Sequence, residues 1–175
     1  MLKLILGAVV LAVAVVLVLA ALKPDTFRVQ RTASIKAPPE KIFPLIDHLP
    51  TNAKWLPYYM KDPAMKIAYS GPESGAGATI DFDGNNEVGS GRVTILDTAP
   101  PAKVRMRLQM VKPMSADNLI EFTLVPHGET TEVTWSMEGK VPYVGKIFHV
   151  IFNMDRMVGG DFETGLSNLK AIAET

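Results

Sequence analysis

From Leu4 to Leu22 the chain runs nineteen residues without a charge, all apolar apart from Gly7, between Lys3 and Lys23. At about 1.5 Å per helical residue, such a run reaches roughly the 30 Å of a bilayer's hydrocarbon core. A helix apolar on every side belongs in lipid or deep inside a large protein, so this segment is set apart from the rest. A cleaved signal peptide is the competing reading. Its apolar stretch is usually about 7–15 residues long, and no Ala-x-Ala closes this one, Val18-Leu19-Ala20 being a weak substitute. The expectation is an uncleaved single-span anchor over residues 1–23 and one domain over residues 24–175. Lys3 alone precedes the run, whereas Lys23, Arg28, Arg31 and Lys36 follow it. A literal positive-inside count keeps the domain cytoplasmic. Those later charges belong to a folded domain, however, and the short N-terminal tail is that of a signal anchor. The expected location is the periplasmic side of a bacterial inner membrane.

Composition removes several classes. The 18 basic and 18 acidic residues cancel and no basic run of five exists, so nothing electrostatic calls for nucleic acid. There is no Cys, hence no disulfide framework and no thiol nucleophile. About two fifths of the residues outside the apolar run are hydrophobic, which suits a globular domain and excludes disorder.

Phe27 to Lys36 alternates, with Phe27, Val29, Ala33 and Ile35 on one face, so it reads as a strand. Pro38-Pro39 stops it and suits a helix start. Ile42, Phe43, Leu45, Ile46 and Leu49 follow at helical spacing until Pro50, and a second short helix is expected over Thr51 to Trp55. Strands are expected near 65–70, 77–83, 88–97, 103–110, 117–125 and 131–140, joined by short turns such as Asp83-Gly84-Asn85-Asn86 and His127-Gly128-Glu129. Short connections imply an antiparallel meander. From Val144 to Ala173 apolar residues recur every three or four positions, which predicts one long amphipathic helix. Gly159-Gly160 interrupts it and implies a kink or a close contact with the sheet.

Strand, two short helices, meander and long C-terminal helix is the order of the helix-grip fold. Over residues 27–173 the wording also resembles the START-like SRPBCC superfamily, in its polyketide cyclase/dehydrase branch. The resemblance rests on Ser34-Ile35-Lys36-Ala37-Pro38-Pro39-Glu40-Lys41-Ile42-Phe43, Lys54-Trp55-Leu56-Pro57, and Gly75 and Gly77 ahead of Phe82-Asp83-Gly84. It continues through Gly89-Ser90-Gly91-Arg92, Pro100-Pro101 before Lys103-Val104, Phe122-Thr123-Leu124, and Thr130 to Trp135. It implies an α+β fold in which a curved antiparallel sheet wraps the C-terminal helix and leaves a ligand cavity between them. Lipid carriers, hormone receptors, hydrolases and cyclases share that fold, so the resemblance implies no single activity.

The residues themselves give Met106, Leu108 and Met110 one strand face, as they do Ile120, Phe122 and Leu124, and Val133, Trp135 and Met137. Met-rich inner faces suit oily ligands, and a filled core fits the same pattern. Trp55, Tyr58 and Tyr59 follow the short helices, where the fold has its cavity mouth. At 100° per residue Asp155 falls near the centre of the C-terminal apolar stripe, which makes it a polar handle or a weak acid candidate. Expected ligand contacts are therefore Trp55, Tyr58, Met106, Leu108, Met110, Phe122, Trp135, Met137, Phe152 and Asp155. His48, His127 and His149 lack the spacing of metal ligands, and Asp81, Asp83, Asn85, Asn86 and Glu87 form no calcium loop. No Gly-x-Ser-x-Gly elbow or dinucleotide fingerprint occurs, so no metal or cofactor is expected. The expected function is a membrane-tethered binder of a small lipid-like or polycyclic molecule. Its rivals are a cyclase, dehydratase or hydrolase using Asp155 or a tyrosine, and a protein-interaction module with a filled pocket.

Overall fold

The apolar run falls within a helix, α1, Leu2–Ala21, whose side chains from Leu4 onward almost all face outward. The computed structural model describes residues 1–151 and 154–175; Phe152, expected at the ligand, lies outside the described residues. By length and composition α1 is able to cross a membrane, with a mean hydropathy of 3.2 over Lys3–Ala21.

The alternating segments form seven strands: β1 Thr26–Ile35, β2 Lys66–Ser70, β3 Thr79–Asp83, β4 Ser90–Ala99, β5 Lys103–Lys112, β6 Ala116–His127 and β7 Thr130–Lys140. They pair antiparallel in the order β1-β7-β6-β5-β4-β3-β2, the expected meander closed by β1 against β7. Pro39 at the first turn starts α2, Pro39–Asp47. The expected second helix is a 3-10 helix, Leu49–Lys54, and a further one that the pattern did not disclose, α3, covers Pro57–Lys61. Trp55 ends the 3-10 helix and donates its indole N–H to Leu45 O at 2.9 Å, which ties it to α2.

The C-terminal apolar stripe is helical on both sides of residues 152–153, as α4 Tyr143–Ile151 and α5 Met154–Ala173. They pack differently: α5 lies against β1, α4 against α1. α5 runs on through Gly159-Gly160 as helix. Gly159 makes the close contact with the sheet, leaving room for the Arg31 guanidinium of β1, which a Cβ would strike, while Gly160 faces open space. Phe162, Leu166, Leu169 and Ala173 form the buried stripe of α5 at helical spacing. Its C-terminal half is held by Lys170 Nζ donating to Ser34 O at 2.6 Å and Lys36 N–H donating to Glu174 at 2.7 Å.

Candidate functional site

Directly opposed residues of an antiparallel sheet point to the same side, so the register lays the inner face out in rows. One row runs Val104–Phe122–Trp135–Arg31, the next Ile95–Met106–Ile120–Met137–Val29. Beyond them come Tyr69–Ile80–Val93–Leu108–Asn118–Gly139–Phe27 and finally Ile67–Phe82–Gly91–Met110–Ala116.

Burial changes from row to row. In the Trp135 row Val104, Phe122 and Trp135 are buried; in the Met106 row all five residues are. Val93, Leu108 and Phe27 in the third row are half-buried, as is every residue of the Met110 row. The reason lies in the helices. α5, with its buried stripe, packs against β1, whereas α4 packs against α1. An apolar strip including Ile67, Phe82, Val93, Leu108 and Met110 is thereby left partly open, with half-buried Tyr58 and Val158 packed against the same core.

The closed end is full. Trp135 stacks on Phe162 of α5 with ring centroids 4.0 Å apart and planes 12° apart. Phe122 lies 5.0 Å from Trp135, and Trp55 meets Phe122 and Trp135 edge-on at 5.9 and 5.7 Å. Gly165 allows this approach: a Cβ there would sit 2.7 Å from Trp135 Cζ3 and 3.3 Å from Pro57 Cδ. Sheet and helix therefore mesh at this level, which corrects the expectation of a hollow along their whole contact. Trp55, Phe122 and Trp135 are brought together as the plug of the closed end, Met106 and Met137 lie in the row next to it, and Leu108 and Met110 reach the open end.

Asp155 departs from expectation. It does fall in line with Phe162 and Leu166, but in the first turn of α5, over edge strand β1 and away from the core. Its side chain is 61% exposed and paired with Arg31 at 3.0 Å. Hydrogen bonding from Arg31 holds its carboxyl below the ordinary carboxylate range, the opposite of a raised-pKa acid. Arg31 also donates to Glu163 at 2.6 Å. Burial, with Asp161 nearby, raises the Tyr58 phenol above its usual value; burial, with Tyr69, does the same for Tyr59. Lys61 pairs with Asp161 at 2.7 Å and joins α3 to α5 beside these rings.

Two inner-face residues were missed, though alternation carried the signal for both. Arg31 continues the Phe27, Val29, Ala33, Ile35 face, and Asn118 continues Ile120, Phe122, Leu124. Asn118 is 6% exposed and its Oδ1 has no protein partner. It occupies space that any side chain at Gly139 would fill. The buried Trp135 Nε1 is likewise unpartnered. On the outer face, charges pair across strands: Arg107 with Asp117, Arg92 with Asp81, Arg28 with Glu138. Two surface depressions, of about 300 and 720 Å³, lie mainly along these outer rows, one around Arg105 and Glu121, the other along Ala68, Asp81, Arg92 and Gln109. Among the described residues no cluster of His, Cys, Asp or Glu is placed to hold a metal ion.

A seven-stranded antiparallel sheet gripping a C-terminal helix, with one end of its inner face plugged and the other partly bare, defines the helix-grip class. The chain belongs to the family described as polyketide cyclase / dehydrase and lipid transport, whose model matches residues 26–174. No curated protein matches it in sequence. Among solved structures it is similar to protein CV1439 from Chromobacterium violaceum, at 18% identity, 87% of this chain, 99% of that one and a TM-score of 0.60. The major latex-like protein 151 of Panax ginseng shares 11% identity, with 87% and 100% of the two chains covered and a TM-score of 0.60. The di-domain ARO/CYC BexL from the BE-7585A biosynthetic pathway shares 10%, with 90% and 53% covered and a TM-score of 0.62. These likenesses establish the fold.

Proposed function

We propose that the protein is a membrane-tethered binder of a small hydrophobic molecule, lipid-like or polycyclic, held on the open rows of the sheet's inner face. The observation that carries this reading is the burial gradient: the same apolar face that is sealed at the Trp135 row is only partly buried at Val93, Leu108 and Phe27 and throughout the Met110 row. A monomer gains nothing from leaving such a strip bare, and a guest covering about 300 Å² of apolar surface would gain roughly 7 kcal/mol before association costs. In this reading Leu108, Met110 and Tyr58 touch the guest and Met106 and Met137 lie behind it. Trp55, Phe122 and Trp135 form the floor, and Asp155 stands outside with Arg31. The unpartnered Asn118 Oδ1 in the Leu108 row favours a guest with a polar group over a pure hydrocarbon. The family's description, which includes lipid transport, supports the same class of guest. α1 supplies the tether, with the domain on the periplasmic side of a bacterial inner membrane, and confinement beside a bilayer raises the local concentration of a lipid guest.

The aromatic plug favours one alternative, an interaction module whose pocket is filled. Native mass spectrometry of the full chain released from mild detergent separates the two. A binder carries co-purified apolar mass that is lost in Met110→Trp; a chain that never carries extra mass overturns the reading. Amino-terminal sequencing of the mature protein tests the tether, which requires that α1 be retained.

A further inference from the structure

We propose that α4 is an interfacial membrane helix, lying in the headgroup layer of the bilayer that α1 crosses; this rests on the reading of α1 as a span. The carrying observation is where α4 touches α1. Tyr143 Oη donates to Leu17 O at 2.9 Å. Val16 and Ala20, one turn apart on α1, are shielded in a helix otherwise exposed, and Ala20 is fully buried. Leu17 lies five residues before Leu22, where the apolar run ends, so at 1.5 Å per residue the contact is roughly 7 Å inside that boundary. A helix lying in the interface sinks its apolar side by about 5–10 Å, and tyrosine is a residue enriched at that depth.

The rest of α4 fits this position. At 100° per residue Tyr143, Val144, Ile147 and Val150 fall within about 120° of arc. Tyr143 and Val144 are 47% and 66% exposed, a poor arrangement in water and a good one against acyl chains. Lys146, the charged residue near the contact, is turned away to Asp25 in the linker after α1 and is itself buried. The partner committed to is lipid, because α4 meets α1 within its apolar run, where the exposed Tyr143 and Val144 would face acyl chains. The strand ends nearest α1, at Thr26 and Lys140, are also those at which the Leu108 and Met110 rows lie open.

The absence of cysteine makes the test direct. Single nitroxides are placed on the full chain in phosphatidylcholine/phosphatidylglycerol vesicles at Leu11→Cys in α1, at Val144→Cys, and at Val125→Cys, an exposed position at the far end of β6. Collision rates with oxygen and with a water-soluble nickel chelate give each depth. The expected order is Leu11 deepest, Val144 in the headgroup layer with chelate collisions cut severalfold relative to Val125, and Val125 aqueous. If Leu11 is deep while Val144 matches Val125, the inference is overturned and the span stands. A Val144 label shielded from both reagents means a protein partner, a second copy included, and also overturns it. A Leu11 label open to the chelate removes the span and this inference together.

Discussion

Two glycines five residues apart on α5 should respond to the same substitution with opposite signs. Replacing Gly by Ala inside a helix gains about 1 kcal/mol of intrinsic propensity, and Gly160 faces open space, so Gly160→Ala should stabilise by up to that amount. At Gly165 the same methyl would sit 2.7 Å from Trp135 Cζ3. The indole has nowhere to retreat, since Phe162 stacks on it at 4.0 Å, Phe122 lies at 5.0 Å and Trp55 at 5.7 Å. Moving α5 outward instead would separate Phe162 from the ring. Overpacking of a filled site costs about 1–3 kcal/mol, which outweighs or cancels the propensity gain, so Gly165→Ala should be neutral to destabilising by ~2 kcal/mol. The two variants should thus differ by about 1–3 kcal/mol, and at roughly 2–4 °C per kcal/mol for a chain of this size the gap is visible in a melt. Thermal unfolding of the full chain in detergent, followed by circular dichroism, reads it out. Equal midpoints, or a higher one for Gly165→Ala, would refute the mesh of sheet and helix and restore a hollow reaching the Trp135 row.

Further substitutions divide the two ends of the inner face. Leu108→Trp and Met110→Trp, at half-exposed positions, should weaken uptake of the fluorescent probe anilinonaphthalene sulfonate by about tenfold, ~1.4 kcal/mol, while leaving the melting midpoint nearly unchanged. Trp135→Ala, in the plug, should cost about 3–5 kcal/mol of stability; a small loss there would mean that the ring is not packed. Asp155 has a depressed folded-state pKa, so its pairing with Arg31 stabilises fully above the unfolded carboxylate value and is lost as pH falls through the folded one. Melts of Asp155→Asn should lie below those of the parent near neutrality and converge with them in acid; a gap persisting at low pH contradicts the pair. Burial raises Tyr58 and Tyr59, so at pH about 11 phenolate absorbance should fall short of the four tyrosines. Complete ionisation in one step near pH 10 would show solvated rings.

Alternation made the sheet legible almost strand by strand, because a period of two is a local property of the backbone and survives any tertiary arrangement. The same rule, applied without regard to polarity, would have put Arg31 and Asn118 on the inner face; judging faces by apolar residues alone hid them. The helices were less legible. The stripe from Val144 to Ala173 has one continuous period, yet its two ends pack on different partners, α4 on α1, more than a hundred residues away in sequence, and α5 on β1. Asp155 shows the same limit: its angle on the helix was right, but angle says nothing of whether that turn overhangs the core or the edge of the sheet.

Periodicity identifies which side of a strand is apolar; it does not say what lies above it. Met106 and Met110 occupy one strand, one face and the same residue type, and one is buried while the other is half-open. What separates them is the cover above: α5 packs against β1, whereas α4 packs against α1.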